Sequence, residues 1–88
     1  MAIYLITYDL NKETKRPDIL GEIKMTDWAK LSESSYAIDT QETSSAVYNR
    51  LKKYIDDNDT LYVITLKKPY GGRGPQAVND WLENRLPS

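Results

Sequence analysis

The 88-residue chain contains neither cysteine nor histidine. Without cysteine there is no disulfide framework, no thiolate nucleophile and no Cys-ligated zinc site. Without histidine, Ser-His and Cys-His catalysis, His metal ligands and the commonest general base are excluded. Any catalysis must therefore use carboxylates, Lys, Tyr, Ser, Thr or a metal ion held by oxygen ligands.

The sequence also lacks a strong charge of one sign and a long apolar run. Twelve basic and thirteen acidic residues give a formal net charge of −1, which is unlike a strongly basic nucleic-acid binder but leaves room for a local basic patch. No apolar run approaches the ~20 residues of a membrane span, and the N-terminus does not resemble a signal peptide. We therefore expect a soluble, cytoplasmic protein with no membrane partner.

Hydrophobic periodicity predicts one domain over residues 1–88, with alternating strands and helices. The predicted elements are a strand at 3–10, a helix from Pro17 to near Met25, extended chain at 28–40, a helix after Thr43, a strand at 60–67 and an appended C-terminal helix at 75–86. Residues 28–40 fit two short strands joined by a turn at Glu33-Ser34, or a single bent or bulged strand.

The element order β-α-β-β-α-β predicts an α+β fold, the ferredoxin-like sandwich with two helices on one face of a four-stranded antiparallel sheet. The first strand is apolar on both faces, with Tyr4, Ile6 and Tyr8 on one and Ile3 and Leu5 on the other. A strand with one solvated face would alternate with polar residues. The second face therefore needs cover, from the last helix, from a second copy of the chain, or from both.

Asp9 stands where the first hydrophobic run stops, and it is open to three interpretations. The carboxylate is a turn or cap former after the strand, one member of a salt bridge, or a metal ligand. The acidic run from Asp56 to Asp59 lacks the spacing of an EF-hand, so it predicts a helix-to-strand turn.

A Gly-rich segment with three cations precedes the last helix. Residues 67–74 contain no acid, so they fit either a loop that binds a phosphate backbone and stacks a base, or a solvated linker. The residues that this first possibility assigns to a nucleic acid or another partner are Lys67, Lys68, Tyr70 and Arg73.

Aromatic side chains mark the core or an interface. Tyr4, Tyr8 and Tyr62 fit either the core or a dimer interface better than an RNA-stacking platform, because the basic, Gly-containing motif of RNA-recognition domains is missing. Trp28 and Trp81 are expected to be core or interface anchors. On the helix after Thr43, the predicted solvated face carries three cations, Arg50, Lys52 and Lys53.

Three stretches and a C-terminal Trp-Leu pair, Trp81-Leu82, resemble a known superfamily. The stretches are residues 4–10 (YLITYDL), 28–40 (WAKLSESSYAIDT) and 55–63 (IDDNDTLYV). Together they resemble the small dimeric CRISPR-associated protein of the spacer-acquisition complex, the VapD endoribonucleases and the SinR-like proteins of phages and mobile elements, the last most closely.

The resemblance implies a ferredoxin-like homodimer. In active relatives the aspartate ending the first strand pairs with its dimer mate and the two hold a divalent metal, Mg²⁺ or Mn²⁺; here that residue is Asp9. Active relatives often carry further polar or basic residues around the second strand. In this chain the corresponding stretch has only Lys30 and small hydroxyl side chains.

Three functions follow as expectations. The first is a non-catalytic homodimeric module associated with RNA or DNA or with another protein, requiring no cofactor. The second is a metal-dependent endoribonuclease or nuclease that uses Asp9 across the dimer axis. The third is a regulator or counter-defence protein of a phage or mobile element that binds a host protein.

Overall fold

A computed structural model describes residues 2–88, and its centre is a four-stranded antiparallel sheet in the order β2-β3-β1-β4. The strands are β1 (Ala2–Asp9), β2 (Asp27–Ser32), β3 (Ser35–Thr40) and β4 (Thr60–Thr65). The helices are α1 (Arg16–Ile23), α2 (Ser44–Lys52) and α3 (Gln76–Arg85), with a 3-10 turn at Glu13–Lys15 before α1. This α+β arrangement is compatible with a ferredoxin-like fold.

Local sequence chemistry explains where the helices begin. Pro17 occupies the first turn of α1, where its missing N–H costs no hydrogen bond. Thr43 caps α2, because its hydroxyl oxygen accepts a hydrogen bond from the Ala46 N–H at 3.1 Å. Pro75 precedes α3 and has no side-chain group that could cap the helix.

Residues 28–40 form two strands. β2 and β3 pair through a turn at Glu33-Ser34, as one of the two sequence-based alternatives predicted, and the pairing is irregular between Lys30 and Ser32. Asp27 lies directly opposite Asp39 in this register.

The core lies between one face of the sheet and the helices α1 and α2, and we call this face the core face. Side chains of β1 at even positions point into it, since Tyr4, Ile6 and Tyr8 are buried. The helices add apolar side chains that are completely buried: Ile19, Ile23, Val47 and Leu51.

Among the described residues, no helix is long and apolar enough to cross a membrane.

Candidate functional site: the second face of the sheet

The opposite face, which we call the second face, carries the odd-numbered residues of β1 together with the residues paired to them. In this register Ile3 lies opposite Asp39, Leu5 between Ala37 and Ile64, and Thr7 between Ser35 and Tyr62. Helix α3 lies against β2 on this side. Ile3, Ala29, Ala37 and Leu86 are buried there, so α3 supplies part of the cover that the doubly apolar first strand requires.

α3 is attached to the sheet by charged and polar contacts. The Trp81 indole Nε1 donates to one oxygen of Asp27 at 3.1 Å, and the Arg85 guanidinium donates to the other at 2.7 and 3.1 Å. These hydrogen bonds, from Trp81 first and from Arg85 second, lower the pKa of the Asp27 carboxyl below its ordinary value. Trp81 is therefore an anchor of α3 on the sheet edge.

The Arg85 guanidinium also forms an ion pair with a second aspartate, Asp39. The Asp39 carboxylate, with 7% of its side chain exposed, lies 3.7 Å from Arg85 Nε. Its Oδ1 atom is buried and accepts no hydrogen bond from any residue between 2 and 88. Since Asp27 and Asp39 face each other across two strands, Arg85 offsets a like-charge pair that would otherwise destabilise the sheet.

Part of the second face remains uncovered. Tyr62 and Ile64 on the edge strand β4 are 61% and 48% exposed, and they neighbour the partly buried Leu5 and Thr7. On this edge strand, whose outer side pairs with no other strand of the sheet, a β-branched aliphatic residue and a tyrosine two positions apart form an apolar surface of the kind that binds another molecule. We call Tyr62 and Ile64 the β4 patch.

The three tyrosines that the sequence assigned together to a dimer interface lie on different faces of the sheet. Tyr4 and Tyr8 are buried in the core, where the Tyr4 hydroxyl donates to the Glu42 carbonyl at 2.7 Å. Their interface assignment is therefore wrong and the core alternative applies, because α1 and α2 cover that face. Tyr62 pairs with Thr7, an odd-numbered residue, and its side chain lies on the second face.

Asp9 ends β1 on the second face, opposite Thr60. Its side chain is exposed, and it forms no hydrogen bond or ion pair with any of residues 2–88. Within the same residues no group of three or more acidic side chains is arranged to hold a metal ion. One chain therefore offers a single free carboxylate at this position.

The Gly-rich loop is fastened to α3 by two of its four predicted partner-binding residues. Glu83 accepts hydrogen bonds from Lys68 Nζ at 3.2 Å and from the Tyr70 hydroxyl at 2.9 Å. These bonds lower the pKa of Glu83, and the same carboxylate raises the pKa of Tyr70. The Lys68 N–H also donates to the Pro87 carbonyl at 2.6 Å. Lys68 and Tyr70 thus hold the Gly-rich loop against α3.

Lys67 and Arg73 differ from these two residues. Neither forms an ion pair or hydrogen bond with another part of the chain that the structure describes. Both line a cavity of about 330 Å3 between the loop and α3. The loop therefore brings together two free cations beside an open space.

Other charged clusters are structural. Lys15 bonds Asp56 at 2.7 Å and Asp59 at 2.6 Å, and Asp59 also accepts from the Asn11 N–H. The pKa of Asp59 is lowered to about 2, first by Lys15 and then by backbone N–H groups. The acidic run is thus a turn bonded to the segment that precedes α1, as the failed EF-hand spacing predicted.

Arg50 does not belong to a solvated helix face as expected. Its guanidinium binds the Glu42 carboxylate at 2.9 and 3.0 Å and reaches Glu22 at 3.1 Å. It therefore joins α2 to α1. Lys52 and Lys53 remain exposed and lie over the rings of Tyr48 and Tyr54.

Sequence reasoning missed the polar residues that build the second face, namely Asp27, Asp39, Glu83 and Arg85. Their partners are separated by up to 58 positions, and a single sequence carries no signal for such a pairing. An Arg in the last turn of an amphipathic helix is ordinarily interpreted as favourable to the helix dipole.

No family model matches the chain. A search of solved structures finds similarity to the crystal structure of a hypothetical protein, TT1823, from Thermus thermophilus, with a TM-score of 0.69 and 16% sequence identity. The match covers 84% of this chain and 92% of that one. At this identity the similarity shows a shared fold.

Proposed function

We propose that the chain is a homodimeric, non-catalytic module that associates with nucleic acid, with the β4 patch as its dimer surface. The observation that carries the proposal is the uncovered part of the second face. Tyr62 and Ile64 remain exposed there after α3 has docked. A domain of this size is marginal alone and gains stability from burying such residues against a second copy.

The edge position of β4 favours self-association. β4 pairs only with β1 among the strands of the sheet, so its outer side presents unpaired N–H and C=O groups to a second strand. A two-fold axis at this edge pairs each patch with its own copy.

Lys67 and Arg73 support the association with nucleic acid. Half of the twelve cations are engaged in ion pairs, whereas these two remain free in the loop that follows the proposed dimer edge. Two copies provide four such cations, which gives modest, salt-sensitive binding to phosphates.

The dimer is tested by sedimentation equilibrium over a range of concentrations. We expect a dimer for the natural chain and a shift to monomer for Ile64→Ser, with Met25→Ser as the matched control because Met25 is an exposed residue after α1. A monomer at every concentration, or equal dissociation of both variants, would overturn the assigned interface.

Nucleic-acid binding is tested by fluorescence anisotropy with labelled single- and double-stranded RNA and DNA at low salt and with a chelator present. The variant Lys67→Gln/Arg73→Gln is expected to bind more weakly. Lys12→Gln is the control, since Lys12 follows β1 at the end of the sheet opposite to the end of β4. Failure of all four nucleic acids to bind the natural chain contradicts the proposal.

A second candidate function, metal-dependent nuclease activity, is favoured by the free carboxylate of Asp9 on the second face. One carboxylate is a poor magnesium site, but two facing Asp9 side chains in a dimer would hold a hard cation that activates water and stabilises a phosphodiester oxygen. Cleavage that requires Mg²⁺ or Mn²⁺ and disappears in Asp9→Asn, with the dimer intact, would replace the non-catalytic assignment.

A further inference from the structure

The cavity beside the Gly-rich loop has apolar walls and one open side. Tyr70 and five aliphatic residues line it; the aliphatic ones are Leu31, Leu66, Val78, Leu82 and Leu86. Its volume of about 330 Å3 lies at the lower end of the range for small-ligand sites. The space suits one small group with an apolar surface.

The charge around this cavity is of one sign. Lys67 and Arg73 are among its lining residues, and no Asp or Glu is. Glu83, the acidic residue bonded to the loop, is already engaged by Lys68 and Tyr70. α3 begins at the same rim with Pro75 and no acidic residue in its first turn, so the positive end of the helix dipole adds to the two cations. These charges favour an anionic occupant.

The glycines of the loop have no explanation within the fold. Gly71, Gly72 and Gly74 do not adopt positive φ angles, and a Cβ atom added at any of them would meet nothing within 4 Å. Since neither backbone conformation nor packing requires glycine, an occupant that approaches the main chain closely is the remaining structural use for it.

We propose that the cavity binds one unstacked nucleotide of a single-stranded nucleic acid. The base lies against the apolar wall and the Tyr70 ring, and its phosphate is held by Lys67 and Arg73. The Asn79 Nδ2 donates to the Gly74 carbonyl at 3.3 Å, which leaves its Oδ1 and the loop N–H groups for the base edge. This inference rests on the proposed function and deepens it, because a paired and stacked base in a duplex cannot enter the cavity.

The first test compares ligands by chemical-shift changes in the 15N-labelled natural chain. A twelve-nucleotide single strand is expected to shift the amides of residues 67–79, and a blunt duplex of the same sequence is not. Adenosine monophosphate, as the free nucleotide, is the second arm. If the monophosphate shifts these amides and the strand does not, the site takes free nucleotides and the assignment to a strand is overturned.

The second test uses two variants that add bulk at the cavity. Gly72→Leu adds a side chain where no atom lies within 4 Å of the new Cβ, and Val78→Phe fills the cavity from α3. We expect either change to weaken single-strand binding about tenfold, the effect of losing one stacked base. Lys67→Gln/Arg73→Gln should also lower the salt dependence, by roughly one unit of slope per lost phosphate contact. Gly21→Leu, in the open on α1, is the matched control.

The outcomes separate the two proposals. Binding of the strand that is unchanged in both cavity variants, with no shifts at residues 67–79, overturns the cavity assignment and leaves the nucleic-acid module standing. Absence of binding by any strand, duplex or mononucleotide overturns both.

Discussion

The two faces of the sheet are built by different chemistry. The core face buries ten apolar or aromatic side chains in one cluster under α1 and α2. On the second face, α3 has no fully buried residue and is fastened by hydrogen bonds from Trp81 and Arg85 to Asp27 and from loop residues to Glu83. The core face therefore provides most of the stability of the fold.

The contrast predicts that the attachment of α3 can be changed without destroying the fold. Apolar burial neither titrates nor is screened by counterions, whereas hydrogen-bonded carboxylates at a partly exposed edge respond to both pH and ionic strength. A face held in this way keeps a cavity and the β4 patch at its surface, which a fully packed core cannot do.

The largest expected effect is that of an Ile→Ala substitution on the core face; the same substitution on the second face serves as its counterpart below. Ile38 is completely buried on the core face, so Ile38→Ala should lower the free energy of unfolding by about 2–5 kcal/mol. Urea unfolding followed by far-ultraviolet circular dichroism measures it. If that variant does not fold, Ile38→Val should cost about 0.5–1.5 kcal/mol; no loss in either variant would show that the core is not where the stability resides.

The second effect tests the attachment of α3. Arg85→Met removes the cation that faces both Asp27 and the buried Asp39, and we expect a loss of about 1–3 kcal/mol. Adding Asp39→Asn should restore part of it, since the buried charge left behind is then removed. Arg73→Met, at a free cation, is the control and should change stability by less than about 0.5 kcal/mol.

The third effect is an acid-induced release of α3 from the second face. Because the Asp27 pKa is lowered in the folded state from 3.8, its bonds to Trp81 and Arg85 stabilise the protein above that pH and are lost as the pH falls through the lowered value. In a Trp28→Phe background, the fluorescence of Trp81 should change during acidification before the far-ultraviolet circular dichroism is lost.

Asp27→Asn provides the control for this acid release. The variant should show the altered Trp81 fluorescence at neutral pH, because Asn cannot hold the guanidinium as a carboxylate does. Coincident loss of fluorescence and secondary structure in the natural chain would mean that the two faces unfold as one unit.

The smallest effect is expected for Ile64→Ala, the matched partner of Ile38→Ala. Ile64 is 48% exposed, so at low protein concentration the unfolding free energy should change by about 0.5 kcal/mol or less. At high concentration the natural chain should become the more stable of the two, because dimerisation stabilises only the folded state that binds. A concentration-independent difference would contradict self-association through the β4 patch.

Sequence patterns predicted the elements well where a single periodicity dominated. The first strand and the helix after Thr43 were both confirmed, because each depends on residues a few positions apart. The 3-10 turn at Glu13–Lys15 was not predicted, since its polar residues carry no hydrophobic period.

The candidate site was only partly predictable. Composition identified the Gly-rich loop and its cations, but nothing in it distinguished Lys68 and Tyr70, which bond Glu83, from Lys67 and Arg73, which stay free. Charge partners depend on how distant segments dock. Glu83 lies 13 positions from Tyr70 and 15 from Lys68, and no sequence periodicity predicts a contact at such a spacing.

The sequence by itself determined the alternation of strands and helices and the doubly apolar first strand, because side-chain periodicity follows directly from backbone geometry. Only the tertiary structure decided which face each tyrosine occupies, which cations remain free, and that α3 covers part of the second face while the β4 patch stays open. The reason is physical: register and helix docking join residues that lie far apart along the chain, and the free energy of each contact depends on the neighbours that folding brings to it.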